Sequence, residues 1–377
     1  MLQDISKKHV LFLCVVALLF GPSIGSAQVL HDDYQGTYHG KVVAVLDEET
    51  REIPGTGTEH LYQTIEARVL DGPQKGKIIT IENDYLELES GDKFYFNYSV
   101  YIDGSEHYAI INIDRKDSLL LLVVIFVTMI IAFGGWQGVR SLVALVGSFL
   151  AIVFILLPGI LNGWNPLVAS VLVAGAILFL AIFFTHGFNR ESLVAYGGTM
   201  IAVVLAGLFA VFAVHVTDLS GFASDETTYL NFNTGGTLNF TALLLGAFII
   251  GFLGVLDDIA VTQSAVVSEL FNSNPHMTRR EVYARAMRVG REHVGALVNT
   301  LVLAYTGASL PLLLYFSLGS ASFTTSINLE IFATEIVRVI VGSVGLILTV
   351  PIVTLLAVRY LKGYQSKHNH SHGHIQS

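Results

Sequence analysis

The chain has 377 residues, of which 53% are hydrophobic and 14% are charged. Soluble domains have roughly 25% charged residues, so this composition and a mean hydropathy of +0.61 indicate a membrane protein. The net charge of −9 leaves no basic surface for a phosphate backbone and argues against a nucleic-acid partner.

The first 27 residues have the pattern of a secretory signal peptide. Lys7 and Lys8 precede an apolar run from Val10 to Phe20, and small residues follow up to Ala27. An uncleaved anchor helix is the other interpretation. In either case we expect residue 28 onward to begin outside the cytoplasm.

Residues 28–117 have the composition of a water-soluble, acidic domain, with eighteen Asp and Glu against eight Lys and Arg. Alternating apolar and polar residues predict strands, and Gly-containing turns separate them. The clearest such segments are 41–45, 63–69, 77–81 and 93–96. We therefore predict an extracytoplasmic small β-barrel or sandwich, with an OB-like barrel as the best match.

Seven apolar windows follow, each long enough to cross a hydrocarbon core about 30 Å thick. They lie near 118–134, 141–161, 165–185, 193–215, 239–266, 293–317 and 331–361. The sequence thus predicts a polytopic α-helical membrane domain of seven spans over residues 118–361.

The charges in the loops predict the orientation of these spans. If the β-domain lies outside, ten of the eleven Lys and Arg residues after residue 117 face the cytoplasm. This agrees with the positive-inside rule. The predicted location is therefore the bacterial inner membrane, with the tail at 362–377 in the cytoplasm.

The fifth span contains the adjacent residues Asp257 and Asp258, with apolar sequence on both sides. A charged residue within a membrane is costly and is by default a candidate functional residue that faces a polar cavity or partner. Neighbouring carboxylates also influence each other's ionisation, as a proton relay requires. The alternative is that the pair caps a helix break or is solvated near the cytoplasmic edge.

Two polar residues of the next span, Asn299 and Thr300, are predicted at a similar depth, about 10 Å from the cytoplasmic end. They are candidate hydrogen-bond partners of the acidic pair within the relay. Hydrogen bonding between helices without transport is the alternative.

Gln263 and Ser264, further along the fifth span, are candidates to line an exit path. His186 and His215 are interpreted as interfacial residues.

Glu335 and Arg338 lie one helical turn apart in the last span and are predicted to form a structural ion pair. A contact with substrate is the alternative.

The C-terminal tail contains alternating histidines that are able to hold zinc, nickel or copper loosely. They are His368, His370, His372 and His374. A disordered tail with incidental metal affinity is the simpler interpretation.

The chain resembles the YibE/F-like bacterial integral membrane proteins. The resemblance rests on Gly254–Ala260 around the acidic pair, on the segment Gly290–Gly295 that leads into Asn299–Gly307, and on the last span with Glu335–Arg338. It extends over about 28–361.

A second resemblance covers residues 251–311, which look like the proton-relay helices of resistance-nodulation-division transporters and of SecD/SecF. It rests on the acidic pair, on the basic helix from Thr278 to His293, and on Gly295-Ala296-Leu297 before a return helix that reaches Pro311. It implies that Asp257 and Asp258 carry protons.

The leading hypothesis is a proton-coupled secondary transporter, or a component of one, with an unknown small solute or ion as substrate. The alternative is a membrane scaffold or sensor whose β-domain binds a partner. We expect no enzymatic activity and no cofactor, because the sequence has no P-loop and only the fifth span contains aspartates, whereas an intramembrane aspartyl protease needs them on two helices. Partners other than the bilayer are a second related membrane protein or further copies of this chain.

Overall fold

A computed structural model describes residues 34–53, 57–84, 86–101, 104–318 and 322–363. The predicted signal peptide at 1–27 lies outside these residues. The chain divides into two compact units between Ala132 and Phe133.

The first unit contains a five-stranded antiparallel half-barrel with the strand order β3-β2-β1-β4-β5. The strands are β1 (Tyr34–Ile53), β2 (Thr58–Val69), β3 (Ile78–Asn83), β4 (Lys93–Val100) and β5 (Glu106–Ile113). The long β1 pairs with β4 through its first part and with β2 through its second. Irregularities in register between Val42 and Asp47 bend it. The four predicted strands correspond to β1–β4, and β5 is additional.

The core of this sheet follows from the alternation of side chains along its strands. In β3 every second residue is buried. The buried residues of the sheet unit are Val42, Ile65, Ala67, Val69, Ile79, Ile81, Leu88, Phe94, Phe96 and Tyr98. The polar groups within this core are paired: the Gln63 amide oxygen accepts from the Leu88 backbone N–H at 2.9 Å and from Asn83 Nδ2 at 3.0 Å.

A polar cluster around Glu106 joins β5 to the segment that precedes β3. The Glu106 carboxylate accepts hydrogen bonds from Lys77 Nζ and Gln74 Nε2, both at 2.6 Å. It also accepts from the hydroxyls of Tyr108 at 2.8 Å and Tyr98 at 3.0 Å. The bond from Lys77, followed by those from the two tyrosines, lowers the pKa of Glu106 to about 2. The ionised carboxylate therefore connects the two edge strands of the sheet.

The rest of the described chain is helical. The helices are α1 (Lys116–Ala151), α2 (Leu157–Leu161), α3 (Pro166–Phe179), α4 (Arg190–Val216), α5 (Asp225–Asn233), α6 (Phe240–Ser273), α7 (Arg279–Ala308), α8 (Leu310–Leu318), α9 (Phe323–Ile327) and α10 (Glu330–Tyr360). Two π-helical turns, Ile152–Leu156 and Leu180–Phe184, follow α1 and α3.

Within the described residues, five helical segments are long and apolar enough to cross a membrane, or six if the bent pair α7 and α8 is one span. This number is smaller than the seven predicted spans. One reason is that Lys116–Leu161 counts as one segment of 46 residues. Gly135 interrupts it with non-helical torsion angles, φ 54° and ψ −135°.

Helices α4, α6 and α10 pack against one another, with α3 against α6 and α7 against both α6 and α10. Small residues permit these close contacts. A Cβ atom on Gly345 of α10 would lie 3.1 Å from Ala206 of α4, and one on Gly342 would lie 3.0 Å from Leu301 of α7. Of the glycines in these spans, Gly254 has open space around it and takes no part in this packing.

Gln263 of α6 lies at the junction of three helices. Its side chain is fully buried, and Nε2 donates to the Ala286 carbonyl at 2.9 Å and to Thr354 Oγ1 at 2.7 Å. Gly290 of α7 packs directly on it: an added Cβ would overlap Val350 Cγ1 and lie 3.0 Å from Gln263 Oε1. This position therefore requires glycine for packing.

We expect Glu106→Gln to loosen the sheet, since it removes the charge that Lys77 contacts. Hydrogen exchange of the intact protein should be faster in Ile78–Asn83 and Glu106–Ile113 at neutral pH. Because the pKa of Glu106 falls from 4.5 to about 2 on folding, this stabilisation is present above about pH 4.5 and is lost as the pH falls towards 2. Glu87→Gln, which removes an exposed carboxylate elsewhere in the same unit, is the control. Equal exchange in both variants would contradict this role of Glu106.

We expect Gly290→Ala to destabilise the helical unit by about 1–3 kcal/mol, because the added methyl group overlaps Val350. Gly295→Ala in the same helix should be neutral or stabilising by up to about 1 kcal/mol, since alanine favours helix and no atom lies within 4 Å of the added Cβ. Thermal unfolding of both purified variants in detergent measures the difference. A similar change in both would show that close packing at Gly290 is unimportant.

Candidate functional site

The two acidic residues lie in the middle of α6 and differ in their surroundings. Asp257 is half-buried, and its Oδ1 atom is buried without a hydrogen-bond partner among the described residues. Asp258 is exposed. Leaving a buried polar atom unsatisfied costs about 1–3 kcal/mol. Such an atom in a native fold requires an explanation, and a functional role is one.

A cavity of about 300 Å³, here called the His186 cavity, lies beside α6. It is lined by Trp136, Gln137, Arg140, Thr185, His186, Asn189, Glu191, Ser192, Ala195, Val261 and Ala265. Val261 and Ala265 come three and seven residues after Asp258, so all three share one face of α6. On α6, the lining of this cavity therefore begins about one helical turn from Asp258.

Charge couples this cavity to the acidic pair. Partial burial lowers the pKa of His186 from 6.5, while the negative charge of Asp258 raises it. His186 follows the π-helical turn Leu180–Phe184, an irregularity that is frequent at functional sites. The sequence alone gave His186 an interfacial role, because nothing in its local pattern indicates that it lies near Asp258.

The adjoining part of α6 contacts the start of α4 through polar groups. Ser268 Oγ donates to the Glu191 carboxylate at 2.6 Å, and Ser264 Oγ donates to the Glu191 backbone carbonyl at 3.0 Å. Asn189 caps α4 by accepting from the Ser192 backbone N–H at 2.7 Å. The two serine bonds hold Glu191, a residue that lines the His186 cavity, against α6.

The structure places Asn299 and Thr300 on α7 as exposed residues. Thr300 Oγ1 donates to the carbonyl of Ala296 in its own helix at 3.0 Å. Within the described part of the chain, no hydrogen bond joins either residue to Asp257 or Asp258. A role for them in the relay stays a prediction.

Glu335 and Arg338 form an ion pair in α10, with 2.6 Å between Glu335 Oε1 and Arg338 Nη1. The guanidinium group lies 5.7 Å from the ring centre of Phe248 and 5.8 Å from that of Tyr305. Tyr305 in turn donates its hydroxyl to the carbonyl of Gly251 at 3.3 Å. The pair thereby connects α10, α7 and α6 through polar and cation–π contacts.

The predicted metal-binding histidines, His368, His370, His372 and His374, lie outside the described residues. Among the residues that the structure describes, no group of three or more His, Cys, Asp or Glu side chains is arranged to hold a metal ion.

The apolar helices define a helical membrane protein with an additional β-domain. Residues 122–363 match the family model of the YibE/F-like proteins, and the chain belongs to this family. The match covers the helical part and begins after the β-domain. No curated protein and no solved structure was found to match the chain.

We expect Asp258→Asn to lower the pKa of His186, because it removes the negative charge that favours the imidazolium form. Titration of ¹³C-labelled histidine by NMR measures this change, with His186→Gln to assign the signal. Asp225→Asn in α5 serves as the control for loss of one carboxylate elsewhere. An unchanged His186 titration in Asp258→Asn would mean that the two groups are not coupled.

Proposed function

We propose that this chain is a proton-coupled secondary transporter or a component of one, in which Asp257 and Asp258 take up and release the proton. The observation that carries the proposal is the buried Oδ1 atom of Asp257, which has no partner among the described residues and lies next to a carboxylate on the same helix face as the lining of the His186 cavity. An intramembrane carboxylate with access to polar space is the arrangement that proton relays require.

Polar groups along α6 support this proposal. The Tyr305 hydroxyl contacts α6 at Gly251, the acidic pair follows about 9 Å further along the helix, and the Ser268 contact to Glu191 lies about 26 Å from Gly251. This series extends over most of a hydrocarbon core about 30 Å thick. The resemblance of residues 251–311 to the relay helices of resistance-nodulation-division transporters and SecD/SecF is in line with it.

The proposed topology has seven spans, the β-domain outside and the C-terminal tail in the cytoplasm of a bacterial inner membrane. The break at Gly135 supports two spans within Lys116–Leu161, since each part is long enough to cross a bilayer. In this topology the His186 cavity faces the cytoplasm, because Arg140 and Arg190 belong to cytoplasmic loops.

We further propose an OB-like barrel, supported by the strand order and by the Glu106 cluster that joins its two edges. The proposed role of this β-domain is to deliver the substrate to the helical unit or to control its access. The proposed partner is a second related membrane protein or another copy of the chain. The proposed function does not include an enzymatic activity.

We expect proton flux through the reconstituted protein to fall to the level of protein-free liposomes in Asp257→Asn and Asp258→Asn, since an amide cannot carry the proton. A trapped pH-sensitive dye under an imposed potential measures the flux, with candidate ions and solutes screened in parallel. Asp225→Asn is the matched control, because its carboxylate lies in α5 outside the apolar spans.

Flux equal to wild type in both variants would reject the relay. No flux in the wild type under any condition would favour the scaffold or sensor instead.

A further inference from the structure

A second cavity lies between α6 and α10, and we call it the Glu335 cavity. Its volume is about 460 Å³, within the usual range for small-molecule sites. Helix α10 contributes Ile331, Thr334, Glu335 and Arg338, and α6 contributes Phe240, Leu243, Leu244 and Ala247. Both sets have the spacing i, i+3, i+4, i+7, so each helix presents one complete face to the cavity.

The cavity combines two opposite charges with apolar walls. Glu335 and Arg338 are the charged residues among those that line it, and each side chain is about one quarter exposed. Their charges balance each other, as groups removed from water require. A ligand with a net charge would disturb this balance, whereas a ligand with one positive and one negative group preserves it.

Thr334 supplies a free hydrogen-bonding group at the same place. Its side chain is 2% exposed, and Oγ1 is buried without a hydrogen-bond partner among the described residues. In most helices a buried threonine bonds to the carbonyl four residues earlier, as Thr349 does to Gly345 in α10. The unpartnered Thr334 hydroxyl next to Glu335 is therefore available to a ligand.

The helix opposite α10 is broken at this point. α7 ends at Ala308, α8 begins at Leu310, and the two are bent by 61°. Ala308, Ser309 and Leu312 around this break line the cavity. Broken membrane helices commonly form solute sites, because their free backbone groups lie in a cavity.

We propose that the Glu335 cavity binds a small zwitterionic solute with an apolar side chain, of the chemical class of the apolar α-amino acids. Its carboxylate lies at Arg338 and the Thr334 hydroxyl, its ammonium group lies at Glu335, and its side chain contacts Leu243, Leu244 and Leu312. In treating the solute as cargo, this inference rests on the proposed transport function.

Binding is tested with the purified full-length protein in detergent, with L-leucine, L-valine and L-methionine as probes. Each raises the midpoint of thermal unfolding in a concentration-dependent manner if it binds the folded state. Two analogues of leucine separate the charges: 4-methylpentanoate lacks the ammonium group and 3-methylbutylamine lacks the carboxylate. We expect a shift with at least one amino acid and none with either analogue.

Thr334→Val tests the site without disturbing the ion pair. Valine has nearly the same shape, and the lost hydroxyl has no partner among the described residues, so the midpoint without ligand should stay the same or rise. We expect the affinity for the amino acid to fall at least about tenfold, since a hydrogen bond to a charged group is lost. Thr349→Val in the same helix is the control and should leave the affinity unchanged. Arg338→Gln should abolish binding.

The inference is overturned if none of the three amino acids shifts the midpoint, if 4-methylpentanoate acts as well as leucine, or if Thr334→Val binds like wild type. These outcomes are distinct from failure of the proton relay. If Asp257→Asn loses proton flux but no amino acid binds the wild-type protein, only the amino-acid site is rejected. If an amino acid binds but the wild type shows no proton flux, only the relay is rejected.

Discussion

Polar groups on α6 must be satisfied within the protein, because a hydrocarbon environment has no water to bond them. This constraint organises the helical unit. Gln263 bonds to α7 and α10, and Ser264 and Ser268 bond to the start of α4. Since these four bonds join α6 to three neighbouring helices, the polar residues fix its position in the bundle.

Two buried oxygens on α6, Asp257 Oδ1 and Gln263 Oε1, have no partner within the described residues. Gln263 is an amide that bonds to two groups through Nε2, whereas Asp257 is a carboxylate that can take up a proton. Packing of α6 against α4 and α10 keeps the carboxylate in place in spite of this cost. A carboxylate that the fold holds unsatisfied is available for a proton, and this is the physical basis of the proposed relay.

The two cavities lie at different levels of α6. The Glu335 cavity is lined by α6 residues up to Ala247, and the His186 cavity begins at Val261. Asp257 and Asp258 lie between these levels. The proposed solute site and the proposed proton site would be coupled by movement of the helices, since no residue that the structure describes lines both cavities. Such movement would have to change the glycine contacts of α10 with α4 and α7, because they leave little free space.

The sequence by itself determined the class of protein, the acidic β-domain, most of its strands, the acidic pair and the Glu335–Arg338 ion pair. Each of these depends on residues that are close in the chain: hydrophobic runs, alternation with period two, and side chains one helical turn apart. The number of helical segments did not follow from the sequence alone. No polar loop marks the break at Gly135 or the bend between α7 and α8.

Only the tertiary structure decided which distant residues meet. It brought His186 near Asp258 and placed Tyr305 beside Arg338. It left the Thr334 hydroxyl without a partner in the described part of the chain. It also turned Thr300 towards the carbonyl of its own helix. Rotation of a helix about its axis and its choice of neighbours are set by packing across the whole bundle, and local sequence patterns do not contain that information.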